Sequence, residues 1–370
     1  MKNISILIKP ASGLCNLNCK YCFYKDEIAN RNNTNYGMIS QETTENILNK
    51  FLLIEDLSTL TIAFQGGEPT LIGLDYYKNF IKLVNKKNIN KVNILYTIQT
   101  NGTILNDEFL SFLKENNFLV GISLDGIKQT HDINRLDNNN NQTFEKVFNT
   151  IKKLKEYEID FNILTVVTKS VAKNINQIYK FYKDNNFIYT QYIPVLNKIN
   201  NKIEAYSITP HDYFIFLDTL FHLYYNDIKK GKYIYNRYFE NIVRLLLNMN
   251  PEDCSLMGHC SIQFVIEANG NVYPCDFYCL DKYLLGNINQ NDFNEILKNE
   301  NSINFIKDSL NIYSKCKTCK YFKICRGGCK RNKDALSRNY YCSSYTNFFE
   351  KNIDKLLELA KILPLLKENA

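Results

Sequence analysis

Nowhere in the 370 residues does an apolar run approach the roughly 18 consecutive residues that a membrane-spanning helix requires. A membrane-embedded protein is not expected. The opening MKNISILIKPASGLC has a short apolar stretch but lacks the separate hydrophobic region and cleavage site of a secretory signal, and it leads straight into a cysteine loop. It reads as a first strand. Blocks of like charge are lacking as well: the net charge of +7 comes from 45 basic and 38 acidic residues, with the lysines scattered among acids, which argues against nucleic acid as a partner. The run from Asn138 to Asn141 reads as a solvated loop.

A hydrophobic content of 45% is enough for one large core, and a length prior of about 150 residues per domain suggests two or three units. Twelve cysteines without a secretion signal point to metal clusters, because a reducing cytosol does not favour structural disulfides. The expected location is the cytoplasm.

Short β-rich runs alternate with helical patterns from Ile4 to about Val195. The strand candidates are ISILIKP, TIAFQGGEP from Thr61, VNILYTIQTNG from Val92, LVGISLDG from Leu119, FNILTVVT from Phe161 and YTQYIPVL from Tyr189. Amphipathic segments lie between them, around Glu42 to Leu53, Tyr76 to Val84, Asp107 to Glu115, Phe144 to Tyr157 and Asn174 to Asn185. This rhythm predicts an α/β fold, a partial (β/α)6 TIM-like barrel, with active residues at the C-terminal ends of the strands. Helices from about His211 to Lys230 and Tyr235 to Asn248 form a bridge. Cysteines crowd in after Pro251 and the rhythm stops, so the expected division is 1–250, a cysteine-rich domain over 251–345, and a C-terminal helix over 346–370.

Cys15, Cys19 and Cys22 stand in CNLNCKYC, directly after the first strand. Three thiolates on one loop can hold three irons of a 4Fe-4S cube and leave the fourth open to a non-protein ligand. The competing reading is a zinc knot completed by a distant His or Cys. With Tyr21 before the last cysteine, the motif resembles that of the radical S-adenosylmethionine (SAM) enzymes, in which SAM chelates the open iron and is cleaved to a 5′-deoxyadenosyl radical. Gly66, Gly67, Glu68 and Pro69 form GGEP after the second strand, where the glycines admit a close backbone approach and the carboxylate is suited to an ammonium. In isolation that string is an ordinary tight turn. In the family it resembles, it binds the amino group of SAM, and the resemblance also implies Ser123, Arg135 and Leu196 as contacts to ribose, carboxylate and adenine.

The second array contains Cys260, Gly270 and Cys275, then Cys316, Cys319, Cys325 and Cys329, and finally Cys342. It resembles the SPASM domain, which carries two auxiliary 4Fe-4S clusters. Asn269-Gly270 reads as a hairpin turn. The resemblance implies Cys254, Cys260, Cys275 and Cys329 for the first auxiliary cluster, and Cys316, Cys319, Cys325 and Cys342 for the second. Two zinc sites are the alternative. Cys279 is left over and reads as a buried thiol. Asp276, directly after Cys275, places a carboxylate beside an auxiliary cluster, as a general base requires if that cluster faces the barrel mouth.

YCFYKDE, FQGGEPTL, CDFY and NYYCSSY together make nearly the whole chain similar to the anaerobic sulfatase-maturating enzymes. These oxidise a cysteine or serine of a sulfatase to Cα-formylglycine. The resemblance implies three 4Fe-4S clusters and SAM as cofactors, Asp276 as the base, and Tyr24 and Gln65 as contacts to a Cys/Ser-x-Pro-x-Arg segment of an unfolded sulfatase. A flavodoxin or ferredoxin is the expected electron donor and a monomer the expected state. Another SPASM enzyme forming thioether or carbon–carbon crosslinks is the alternative, disfavoured because the cysteine loop at residue 15 leaves no room before it for a precursor-binding domain. An electron carrier without catalysis is the second alternative. One departure from many relatives is LDNNNNQTF after Arg135, where they have a glycine-rich stretch.

Overall fold

In the computed structural model, which describes residues 2–200 and 202–367, the six expected strands all form. They are β1 (Lys2–Ile8), β2 (Leu57–Phe64), β3 (Asn93–Thr100), β4 (Leu119–Ser123), β5 (Phe161–Val167) and β6 (Tyr189–Pro194). Four short strands follow: β7 (Tyr235–Asn236), β8 (Val265–Ile266), β9 (Asn271–Tyr273) and β10 (Gly286–Asn287). The protein is a mixed α/β chain with two compact units. One holds the chain up to Ser123, Arg135–Phe161 and Ser261–Ile306, and the other holds Leu124–Asn134, Asn162–Cys260 and the chain from Lys307 onward.

In the first unit β1 to β4 run parallel in sequence order. The inward face of β2 carries Leu60, Ile62 and Phe64, all fully buried, at the two-residue spacing of a strand. Its helices follow the same logic. Gln41–Phe51 buries Thr43, Thr44, Ile47, Leu48 and Phe51 on one face, and the Ser40 hydroxyl caps it by accepting from the Thr43 N–H at 3.0 Å.

The other edge of β1 is occupied as well. β8 pairs with it in parallel, Leu7 opposite Val265 and Ile8 opposite Ile266. β9 then pairs antiparallel with β8, and β10 antiparallel with β9. The Asn269-Gly270 turn joins β8 to β9 as expected, with Gly270 at a φ of 88° that an L side chain rarely adopts. The cysteine-rich segment thus extends the first sheet, and this brings its residues to the C-terminal end of β1.

In the second unit β5, β6 and β7 are parallel. Helix Pro210–Lys229 starts with a capping box between Thr209 and Asp212 and packs against the C-terminal helix Cys342–Lys367. The Phe221 and Phe348 rings meet edge to face at 5.4 Å between them, and Phe239 of helix Arg237–Leu246 packs on both. No helix among the described residues is long and apolar enough to cross a membrane.

Candidate active site

Cys15, Cys19 and Cys22 lie in the loop between β1 and helix Phe23–Ala29, half-buried and outside any disulfide. The Cys15 sulfur accepts from the Leu17 N–H at 3.3 Å and from the Asn101 amide at 3.9 Å. Burial pushes its pKa up to about 12, with Glu68, Cys19 and Cys22 adding to the shift. Converging thiols of this kind ionise together only when a cation joins them. Among the described residues no three His, Cys, Asp or Glu side chains are arranged around a point as a single metal ion requires. A cube asks for a wider spread, because each thiolate takes a different iron. The donor set fits a cluster with three cysteine ligands.

GGEP follows β2 and clamps this loop. The Gly67 N–H donates to the Ser12 carbonyl at 2.9 Å and the Glu68 N–H to the Leu14 carbonyl at 2.7 Å. A Cβ on Gly67 would stand 2.0 Å from the Leu14 oxygen, and one on Gly66 would stand 2.8 Å from the Ser12 oxygen and 3.1 Å from Cγ of Lys9. The glycines are required by the cysteine loop itself. Glu68 turns its carboxylate inward. Its side chain is fully buried, with Oε1 accepting from the Thr70 N–H and hydroxyl at 3.1 and 2.5 Å and from the Thr100 hydroxyl at 2.8 Å, and Oε2 from the Asn101 N–H at 2.7 Å. It ties the ends of β2 and β3 together. Burial still raises its pKa against these four bonds.

The loop is braced from a second direction. The Asn18 N–H donates to the Leu136 carbonyl at 2.7 Å, and the Asn138 side chain to the Cys15 carbonyl at 3.2 Å. The asparagine run is exposed as expected, yet one member holds the cluster loop, a role that composition gave no means of finding. Arg135 is buried, with its guanidinium 5.4 Å from the Tyr21 ring centre. Ser123, at the end of β4, accepts from the Gln99 amide at 3.1 Å. Leu196 lies in the second unit, half-buried just beyond β6.

After β9 the chain passes through Cys275 into a short turn that starts at Asp276. Asp276 is buried, and Tyr24, Gln65 and Lys9 surround it. Its Oδ2 accepts from the Tyr24 hydroxyl at 2.6 Å and from the Gln65 amide at 2.8 Å, while the same amide reaches the Tyr24 oxygen at 2.8 Å. Its Oδ1 takes no hydrogen bond but stands 3.2 Å from the Lys9 ammonium. Lys9, at the end of β1, is 1% exposed and also stands 3.6 Å from Glu267 and 3.1 Å from the Cys279 sulfur. Burial by itself would drive the proton off Lys9, but Cys279, Asp276 and Glu267 hold it on, and its pKa ends well above the ordinary value. The Tyr24 hydroxyl is raised by burial and by Asp276 beside it, and remains a donor. Cys279 is fully buried, its thiol raised by burial. Three expected site residues, Tyr24, Gln65 and Asp276, therefore meet, and Lys9 is the member that the sequence reading lacked.

In the second unit Cys329 lies beside Cys254 and Cys260, and burial pushes its pKa up to about 12. Cys325 has Cys342, Cys316 and Cys319 around it, with the same value for the same leading cause. The Gly327 N–H bonds to Cys325 and the Arg331 N–H to Cys329, the kind of N–H to sulfur contact that supports thiolates in iron–sulfur sites. Cys275 lies in the first unit.

Comparison with known proteins matches this architecture. The Radical SAM superfamily profile covers residues 10–182, and the SPASM iron-sulfur cluster-binding domain covers 254–320. The chain is 47% identical to the cysteine-type anaerobic sulfatase-maturating enzyme of Clostridium novyi, over 98% of this chain and 99% of that one. It is 41% identical to the enzyme of the same description from Clostridium perfringens, over 97% and 99%. A solved structure of native anSMEcpe with bound AdoMet and Cp18Cys peptide superposes with a TM-score of 0.93 at 40% identity, over 97% of this chain and 99% of that one.

Proposed function

Because the chain belongs to the anaerobic sulfatase-maturating enzymes of the radical SAM superfamily, we propose a division of labour among its residues for that family's reaction, oxidation of a sulfatase cysteine or serine to Cα-formylglycine. Three 4Fe-4S clusters and SAM are its cofactors. When bound, they supply the 5′-deoxyadenosyl radical that removes a Cβ hydrogen atom and an acceptor for the electron left behind.

Cys15, Cys19 and Cys22 hold the cluster that meets SAM. Gly66, Gly67, Glu68 and Pro69 would take the SAM amino group, with the Glu68 carboxylate also tying the strand ends. Ser123, Arg135 and Leu196 take the ribose, carboxylate and adenine. Cys254, Cys260, Cys275 and Cys329 hold one auxiliary cluster, and Cys316, Cys319, Cys325 and Cys342 the other. The barrel with its bridging helices spans 1–250, the SPASM domain 251–345, and the C-terminal helix follows from 346, with 368–370 of that expected span outside the described residues.

Asp276 takes the proton of the target thiol or hydroxyl. The observation that carries this role is the pair of donors on Oδ2, Tyr24 at 2.6 Å and Gln65 at 2.8 Å, which orient the carboxylate while its Oδ1 is buried against Lys9. Tyr24 and Gln65 also border the target segment. The target is cysteine, in line with the cysteine-type relatives, presented on an unfolded or nascent sulfatase segment of the Cys-x-Pro-x-Arg type. The protein works in the cytoplasm as a monomer, with a flavodoxin or ferredoxin as donor.

The test is mass spectrometry of anaerobic reactions of the reduced, reconstituted protein with SAM and paired peptides carrying Cys-x-Pro-x-Arg or Ser-x-Pro-x-Arg. Exchange of CH2SH for CHO in the cysteine peptide, faster than loss of two hydrogens from the serine peptide, is the expected result. 5′-Deoxyadenosine without change in either peptide would contradict the assignment.

A further inference from the structure

The side chain of Lys9 is enclosed in the first unit, and the groups facing it are brought there by three separate segments of the chain. Asp276 comes from the turn after β9, at 3.2 Å, and Cys279 from the end of the same turn, at 3.1 Å. Glu267 follows β8, with Oε1 at 3.6 Å. The Tyr24 ring comes from helix Phe23–Ala29, its centre 4.5 Å from the ammonium. Behind these stand Arg31, whose guanidinium donates to Glu267 at 2.8 Å, and Glu27, whose carboxylate accepts from the Cys279 N–H at 3.3 Å. The lysine stem passes where a Cβ on Gly66 would lie, 3.1 Å from Cγ and 3.2 Å from Cβ.

A buried ammonium is retained only where its charge is compensated, and here two carboxylates stand near it. Glu267 carries a single charge and already takes Arg31 at 2.8 Å, closer than the 3.6 Å to Lys9, so Asp276 at 3.2 Å is the carboxylate that balances the ammonium. That pairing has a consequence for the geometry of Asp276. Oδ2 accepts from Tyr24 and Gln65, so the carboxylate is held at both ends, and the one oxygen that accepts no hydrogen bond is the one whose position Lys9 fixes.

We propose that Lys9 is a positioning residue for formylglycine formation, its ammonium anchoring the buried Oδ1 of Asp276 from behind so that Oδ2, on the side of Tyr24 and Gln65, meets the proton of the target residue. The inference rests on the assignment of Asp276 as the base. Lys9 touches neither the target nor the reacting carbon. It acts through Asp276, with Glu267 and Arg31 holding the ammonium in register from behind. The same stem fills the space beside Gly66, so the site of the base and the loop that carries the first three cysteines share one side chain.

The experiment compares the reconstituted parent with Lys9→Met, Lys9→Arg and Asp276→Asn under anaerobic conditions with the cysteine peptide and SAM. Four quantities are read: iron content, peptide affinity without reductant, 5′-deoxyadenosine formed and formylglycine formed. Misplacing a reacting group by about 1 Å costs on the order of 100-fold in rate, so Lys9→Met should lose roughly that factor in formylglycine kcat. Iron content, peptide affinity and deoxyadenosine formation should stay near the parent, which raises the ratio of deoxyadenosine to product. Lys9→Arg should recover part of the coupling. If Lys9→Met fails to assemble its clusters, Lys9→Gln, which retains the stem without the charge, takes the same measurements. Parent-like coupling in the uncharged variant, with Asp276→Asn uncoupled, would overturn the role of Lys9 alone. Full product from Asp276→Asn would overturn the base assignment on which it rests.

Discussion

The Tyr24 hydroxyl donates to Oδ2 of Asp276 at 2.6 Å, joining residues 252 positions apart in the sequence. The contact exists because β8 takes the free edge of β1 and returns the chain to the barrel mouth. A hydrogen bond to a charged acceptor contributes about 1.5–3 kcal/mol, so Tyr24→Phe should lower formylglycine kcat by roughly 10- to 100-fold if that energy is realised in the reacting complex. Deoxyadenosine formation should persist. Single-turnover assays that quantify both products check this, and a parallel loss of both would place Tyr24 in SAM binding instead.

Gly67 is the tightest point of the cluster loop, since its Cβ position falls 2.0 Å from the Leu14 oxygen. Overpacking costs about 1–3 kcal/mol in a relaxed core, and backbone has less room to give. Gly67→Ala should therefore destabilise the protein by at least that amount and displace Cys15. Iron analysis should find the SAM-binding cluster depleted while the auxiliary clusters remain, and deoxyadenosine formation should fall with it.

Glu267 offers a pH signature away from any cysteine ligand. Burial alone would push its carboxyl up, but Lys9 and Arg31 hold it below the ordinary 4.5. A depressed folded-state value means that the stabilisation is present above the unfolded-chain value and is lost as pH falls through the folded one. Breaking a buried ion pair costs about 3–5 kcal/mol, so Glu267→Gln should melt earlier at neutral pH. The gap between variant and parent should hold down to the usual carboxylate range and narrow below it. Thermal melts across pH test the sign, and a gap that widened on acidification would contradict it.

Cys316 and Cys319 lie with Cys342 around Cys325 in the second unit. Replacing both by alanine should remove one cluster's worth of iron and sulfide while leaving the electron paramagnetic resonance response of the SAM-binding cluster intact. Deoxyadenosine should still form and formylglycine should decline, because the electron released from the substrate radical loses part of its outlet.

The barrel strands were legible because each is long enough to alternate: Leu60, Ile62 and Phe64 in β2 point inward and the residues between them do not. The cysteine spacing and the Asn269-Gly270 turn are local signals and were equally plain. The hairpin fixes β8 beside β9, but the parallel pairing of β8 with β1 was not legible, because two residues carry no period and β1 lies at the opposite end of the chain. Lys9 in ISILIKP looks like a solvated lysine at a strand end, and only the carboxylates that reach it from distant segments explain its 1% exposure. GGEP was recognised, but the reason for its glycines and the inward turn of Glu68 follow from a loop crossing that no motif records.

The most direct test of the account is the fate of the Cβ hydrogens of the target cysteine. A Cys-x-Pro-x-Arg peptide deuterated at Cβ of that residue would be incubated anaerobically with the reduced protein and SAM, and the 5′-deoxyadenosine analysed by mass spectrometry. Deuterium in the deoxyadenosine, in step with formylglycine, is the predicted result. Formylglycine accompanied by unlabelled deoxyadenosine would contradict hydrogen-atom removal from Cβ, and with it the roles assigned to Asp276 and Lys9.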